Sequence, residues 1–162
     1  MGYEPRYGQS VEWYTPPEVF AALGLRFGLD PAAPPGGVPW LPAKRHYSRA
    51  DDGLRQPWRG CVWLNPPYDP ALHRWLARLA EHGDDLALVF ARTDTRWFHQ
   101  FAPRATALCF IRGRVTFRHG ADYTPITARA PSLLIAYGLP CAIALAESHL
   151  GETFLIPARE RQ

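Results

Sequence analysis

Near the middle of the chain stands Trp63-Leu64-Asn65-Pro66-Pro67-Tyr68, preceded by Cys61 and Val62. The apolar run from Cys61 to Leu64, rich in β-branched and aromatic residues, predicts a buried strand that ends where the first proline removes a backbone donor. Asn65 therefore falls at a strand's carboxyl end. Two successive prolines hold φ near about −65° and take away two N–H groups, so the Pro66 carbonyl faces outward without a ladder partner. The outcome is a rigid corner presenting an amide oxygen, a bare carbonyl and the ring of Tyr68.

Working outward, the flanking segments alternate between strand and helix patterns. Asp85 to Ala91 is a continuous apolar strand, as a sheet covered on both faces demands. Between it and the corner, Pro70 to His82 carries Leu72, Trp75, Leu76, Leu79 and Ala80 on one stripe, opposite His73, Arg74 and Arg78, which predicts a crossover helix. Upstream, Pro17 to Leu23 is a short helix with Thr15 as N-cap, Pro16 at its first position and Gly24 as its stop. Leu25 to Ala33 reads as a strand ending in Asp30 and a Pro/Gly-rich turn. Residues 38 to 50 show no strand pattern, and Asp51-Asp52-Gly53-Leu54 reads as a turn. Downstream come a helix from Thr95 to about Phe101, strands at Ala107 to Ile111 and Ser132 to Tyr137 separated by a polar loop through Gly120, Asp122 and Pro125, and a short strand near Phe154 to Ile156. Cys141 to Glu147 fits either strand or helix. This order describes a single α/β domain over residues 13–162, a mostly parallel sheet with an antiparallel edge and helices on both faces, led by a flexible segment over residues 1–12.

Composition narrows the function classes. The 162 residues suit one core, and no apolar window is long enough for a membrane span. With no basic segment followed by an apolar one at the start, no secretory signal is expected, which makes the protein cytoplasmic. Cys61, Cys109 and Cys141 lie far apart among apolar neighbours and read as buried free thiols; with the histidines scattered, no metal site is expected. The net charge of +3 hides an uneven spread, because Arg92, Arg96, Arg104, Arg112, Arg114 and Arg118 face the single acid Asp94 between them. Arginine pairs with phosphate as a fork, so this is either a nucleic-acid surface or the mark of a chain with only one lysine.

The Asn65 corner suits one chemical task, holding the exocyclic amine of a flat heterocycle. The amine's two N–H bonds can be received by the Asn65 side-chain oxygen and the Pro66 carbonyl, which draws the nitrogen toward sp³ geometry and frees its lone pair. Tyr68 offers a face for stacking, worth about 1–3 kcal/mol per base. A proline-rich turn leaving a core strand would look the same in sequence. At Tyr14 and Thr15, a helix N-terminus could meet a carboxylate. Asp30, beyond a strand's carboxyl end, could meet a cation.

In order along the chain, several blocks resemble the phage-type DNA N6-adenine methyltransferase family, which uses S-adenosylmethionine (SAM). They are Trp13-Tyr14-Thr15-Pro16-Pro17, Leu29-Asp30-Pro31-Ala32-Ala33, Asp52-Gly53-Leu54 with Trp58, Asn65-Pro66-Pro67-Tyr68, Ala91 to His99, Phe110-Ile111-Arg112-Gly113-Arg114 with Phe117, and Ala130-Pro131-Ser132. The resemblance runs from about Trp13 to Tyr137 and implies a Rossmann-like class I SAM-dependent fold. It implies that Asn65, Pro66, Pro67 and Tyr68 are catalytic. Tyr14, Thr15, Pro16, Asp30, Pro31, Asp51 or Asp52, and Asn65 would bind SAM. Tyr68, Phe117, Arg112 and Arg114 would meet the DNA, with core filling the other reading of Phe117. Arg92, Asp94 and Trp97 belong to the same blocks without an assigned role. The chain departs from many SAM loops in having Ala32-Ala33 and then Gly36-Gly37 after Asp30-Pro31, in place of Gly-x-Gly. The resemblance implies a methyl transfer to adenine in DNA. The same corner would serve RNA adenine, cytosine N4 or a protein glutamine, or an inactive module that binds SAM or nucleic acid. Oligomeric state and target sequence stay open.

Overall fold

The computed structural model describes residues 13–158. The expected flexible lead over residues 1–12 lies outside the described residues, as do the last four of the expected domain. In chain order the elements are β1 (Trp13–Tyr14), α1 (Pro17–Leu23), β2 (Phe27–Asp30), β3 (Ala43–His46), β4 (Val62–Leu64), α2 (Leu72–His82), β5 (Asp85–Phe90), α3 (Arg96–Phe101), β6 (Ala107–Ile111), β7 (Thr116–His119), β8 (Thr124–Thr127), β9 (Ser132–Tyr137), α4 (Leu139–Glu147) and β10 (Gly151–Leu155). A seven-stranded sheet runs in the order β10-β6-β9-β5-β4-β2-β3, and β1, β7 and β8 form a second, three-stranded sheet.

Alternating side chains on the large sheet feed two cores, one on each face. On one face Trp63, Leu86, Leu88, Leu134 and Ala136 pack with Val19, Phe20 and Leu23 of α1 and Cys141, Ala142 and Leu145 of α4. On the other, Val62, Leu64, Ala87, Val89, Leu133 and Ile135 pack with Trp75, Leu76 and Leu79 of α2 and Phe101 of α3. Helices on both faces are therefore what the burial of both sides requires. No helix of the described residues is long and apolar enough to cross a membrane.

The sheet is mixed, which corrects the expectation of a mostly parallel one. β3, β2, β4 and β5 pair in parallel. The pairings of β9 with β5 and β6, and of β10 with β6, are antiparallel and form the longer ladders. A strand buried on both faces is apolar throughout whichever way it runs, so Ser132–Tyr137 gave no sign of its direction. The segment between β6 and β9 is also more than a loop. It holds the β7–β8 hairpin, and β7 pairs with β1 in the register Trp13↔His119 and Tyr14↔Arg118. β3, which the sequence did not reveal, is an edge strand whose Lys44, Arg45 and His46 are exposed. The ambiguous Cys141 segment is helix, and its apolar Leu139 and Ile143 face outward.

Gly53 joins the loop after β3 to the end of β2. A Cβ there would lie 2.0 Å from the Pro31 carbonyl oxygen, a backbone atom that cannot swing aside. Gly53→Ala is expected to destabilise the fold by about 1–3 kcal/mol, the usual cost of overpacking, read as a lower denaturant midpoint.

Candidate active site

The chain reverses its winding at β2, since β3 pairs on one side of it and β4 on the other. In open α/β sheets such a reversal opens a crevice beyond the carboxyl ends of the strands. Asp30 closes β2 and Asn65 follows β4, so the two sequence-derived polar residues emerge at adjacent strand ends.

Asn65 is half-buried and Pro66 is buried, while Pro67 and Tyr68 are exposed. The side-chain Nδ2 of Asn65 donates to the backbone carbonyl of Trp13 at 2.7 Å. A carbonyl can only accept, so this bond assigns the amide's two ends and leaves Oδ1 as the free acceptor. Tyr68 is pinned as well. Its hydroxyl accepts from the Phe90 backbone amide, and its ring lies 4.9 Å from the Phe90 ring at an interplanar angle of 34°. One face is thereby backed by Phe90, while the residue remains 41% exposed. Desolvation holds the Tyr68 hydroxyl well above the ordinary phenol range.

Trp13 is wedged among aromatics that close this end of the core. Its ring centroid lies 5.4 Å from Phe117 and 6.3 Å from Phe90. Phe117 itself is buried at 4% exposure, so it backs Trp13 rather than offering a bare face to a ligand.

Several polar groups near this end lack the partners that burial normally requires. Among the described residues, the buried Thr15 Oγ1 and Ser132 Oγ find no hydrogen-bond partner. Ser132 stands opposite Phe90 in the β5–β9 ladder. Such groups cost about 1–3 kcal/mol each until something pairs with them. Asp30 is 4% exposed, and its Oδ1 accepts the Ala32 amide at 3.2 Å. Burial pushes its carboxyl up to about 7, partly opposed by that amide. These groups suit a ligand with both donors and a cationic centre.

Other expected contacts sit differently from their sequence reading. Pro16, not Thr15, occupies the N-cap of α1, and Pro17 stands at its first position. Pro16 and Pro17 bring no N–H, and the Val19 amide is bonded to the Pro16 carbonyl at 3.2 Å, so this helix start is a poor carboxylate site. Tyr14 lies against Tyr123, ring centroids 5.7 Å apart. Asp51 accepts from the amide and hydroxyl of Ser48 at 2.7 and 2.9 Å, bonds that hold its carboxyl below the usual range. Asp52, exposed, pairs with Arg55 at 3.3 Å. Both acids follow β3, and Gly53 seats their loop on Pro31 at the tip of β2. Arg112 and Arg114 are exposed just after β6. They stand at the same end of the sheet as Asn65 but three strand spacings away, roughly 14 Å.

Sequence reasoning missed the Trp13 carbonyl, the backing ring of Phe90 and the Ser132 hydroxyl. A backbone acceptor leaves no trace in residue types, and Phe90 and Ser132 were absorbed into strand patterns. Only the recurrence of Trp13 and Ser132 in the ordered blocks pointed to them.

The model of the family described as DNA N-6-adenine-methyltransferase (Dam) matches residues 8–136, most of the chain. No curated protein and no solved structure matches it. With that match over most of its length, the chain belongs to the DNA N-6-adenine-methyltransferase (Dam) family.

Proposed function

We propose that the chain transfers a methyl group from SAM to the N6 amine of an adenine in DNA, with the base held by Asn65, Pro66 and Tyr68. The observation that carries this reading is the Asn65 amide, whose orientation by the Trp13 carbonyl leaves Oδ1 as an acceptor. Membership of the family supports adenine in DNA as the substrate.

SAM supplies a methyl group on a positively charged sulfur, electrophilic enough for a neutral amine to attack. The residues at hand fit such a ligand. Asp30 with Pro31 suits the ammonium, the unpaired Thr15 hydroxyl with Tyr14 and Pro16 suits the methionine end, and Asp51 or Asp52 suits the adenosine. Asn65 Oδ1 and the Pro66 carbonyl each accept one N–H of the target amine and direct its lone pair. As positive charge grows on that nitrogen, both bonds strengthen, so they stabilise the transition state more than the ground state. The base is turned out of the duplex at a cost of a few kcal/mol, offset in part by about 1–3 kcal/mol of stacking on Tyr68. Arg112 and Arg114 take phosphates at the rim.

Asn65→Ala is expected to lower kcat by about 100- to 1,000-fold, the usual effect of losing one charge-stabilising partner, with SAM binding nearly intact. Turnover at the parental rate in a radiolabelled methyl-transfer assay would overturn the role given to Asn65. Tyr68→Phe should retain most activity, whereas Tyr68→Ala should raise KM for DNA.

Asp30 gives a pH signature. In the free protein it is mostly protonated below about 7. A cationic ligand favours the carboxylate, so SAM affinity should rise with pH up to about 7 and then level, with proton release on binding below that point. Calorimetry in buffers of different ionisation enthalpy measures this, and Asp30→Asn should abolish it. The sign for stability is the reverse of a paired acid. The folded state holds the proton more tightly than the unfolded chain, so its contribution is full at low pH and is lost as pH rises through about 7.

For DNA, replacing Arg112 and Arg114 together by Ala should reduce the slope of log K against log salt by about 2. An unchanged slope would remove them from the interface.

A further inference from the structure

At the opposite end of the sheet from Asn65, three segments converge. Cys61 immediately precedes β4, Asp84 immediately precedes β5, and Cys141 lies in the first turn of α4. The Val62 amide bonds to the Asp84 carbonyl at 3.0 Å, which locks the first two together. The turn into α4 is seated on the turn into β5 so closely that a Cβ on Gly138 would lie 2.6 Å from the Gly83 carbonyl oxygen. Cys61 and Cys141, 80 residues apart in sequence, thereby bring their sulfurs to 3.3 Å. Asp84 Oδ1 lies 3.7 Å from the Cys141 sulfur, and one ligand atom from each of the three residues falls within 4.8 Å of the others. Cys61 and Cys141 are thus not the isolated thiols their sequence spacing implied; Cys109 is buried among its own neighbours.

A fourth group borders the cluster. Asp85 is fully buried, and among the described residues neither of its carboxylate oxygens makes a well-formed hydrogen bond.

We propose that Cys61, Asp84 and Cys141 form a structural site for a borderline-soft divalent cation of the zinc type, with the orphaned Asp85 carboxylate beside it. Thiolate and carboxylate ligands are the donor set such ions take. With metal–sulfur bonds near 2.3 Å, tetrahedral geometry sets the sulfurs about 3.8 Å apart, so binding opens the present gap by about half an ångström. Cys61 and Asp84, both half-buried, give the ion a way in. Binding is a ligand exchange without electron transfer: each thiol S–H breaks, the two protons leave to solvent, and two metal–sulfur bonds and one metal–oxygen bond form. The ion would clamp the amino ends of β4 and β5 to the start of α4, behind the strand that carries Asn65. A disulfide between the same cysteines would leave the Asp84 carboxylate without a task, and so suits the cluster less.

The test is titration of the reduced, full-length protein with Co(II) and then Zn(II), in the absence of SAM and DNA. The expected results are one equivalent bound, a thiolate-to-cobalt charge-transfer band that zinc displaces, and release of about two protons or more. At about 100-fold excess of zinc over its dissociation constant, Tm should rise by about 5–10 °C. Cys61→Ser and Cys141→Ser should each remove the band, and Cys109→Ser should leave it unchanged. Because Cys141 is buried and its variant could misfold, Asp84→Asn, at a half-exposed position, provides an independent variant expected to weaken metal binding at least 10-fold. The proposal is overturned if the reduced protein takes up no Co(II) at tens of micromolar, if uptake survives both cysteine variants, or if Asp84→Asn binds with parental affinity. None of these readouts depends on methyl transfer, so they stand apart from the reading of the Asn65 corner.

Discussion

A single hydrogen bond between segments 52 residues apart, Asn65 Nδ2 to the Trp13 carbonyl, gives the corner its chemical sense. An asparagine at a strand end can present either its NH₂ or its oxygen to a ligand, and only one is useful for holding an amine. The choice is made by a backbone carbonyl that must stand in the right place. That carbonyl is held because β1 pairs with β7 and the Trp13 ring is wedged between Phe90 and Phe117. The small three-stranded sheet is therefore more than an ornament on the large one. It fixes a two-residue strand that would not persist alone, and through it the direction of one amide.

The two prolines act on the same corner from the other side. They end the β4 ladder and keep the chain from continuing as a strand, which is why Pro66 is buried while Pro67 and Tyr68 emerge. Tyr68 then leans back on Phe90, at the end of the next parallel strand. Adjacent strands thus carry the elbow and its support, and the sheet's spacing sets the distance between them. Around it stand buried groups that weaken the free protein: a carboxyl that burial raises to about 7 and two hydroxyls without partners among the described residues. Groups left unsatisfied in the core of a family member are where a ligand is expected to repay the loss.

What the sequence could show followed from how local each signal was. The helix Pro17–Leu23 and the strands at Ala107–Ile111 and Ser132–Tyr137 were legible to the residue, because apolar spacing and caps act over a few positions. β3 was hidden because three of its four residues face solvent at a sheet edge and carry no alternation. β8 was hidden because Pro125 argues against a strand, yet it is tolerated on an edge of the small sheet. Strand direction in the large sheet and the meeting of Cys61 with Cys141 are properties of topology, and no window of residues contains them. The end of β4 at the corner was legible because Asn65 and its two prolines are consecutive residues. Its partner at Trp13 was not, since every residue has a carbonyl.

The Trp13 carbonyl also bears on why the position holds an amide rather than an acid. A carboxylate at residue 65 would set two acceptors against each other, with no proton between them. Either the acid would be forced to keep its proton, which leaves one acceptor for the amine and one donor for Trp13, or the carbonyl would lose its partner at a cost of about 1–3 kcal/mol. Asparagine satisfies both demands at any pH, since its NH₂ always donates and its oxygen always accepts. The amide at the corner is thus oriented by the strand behind it.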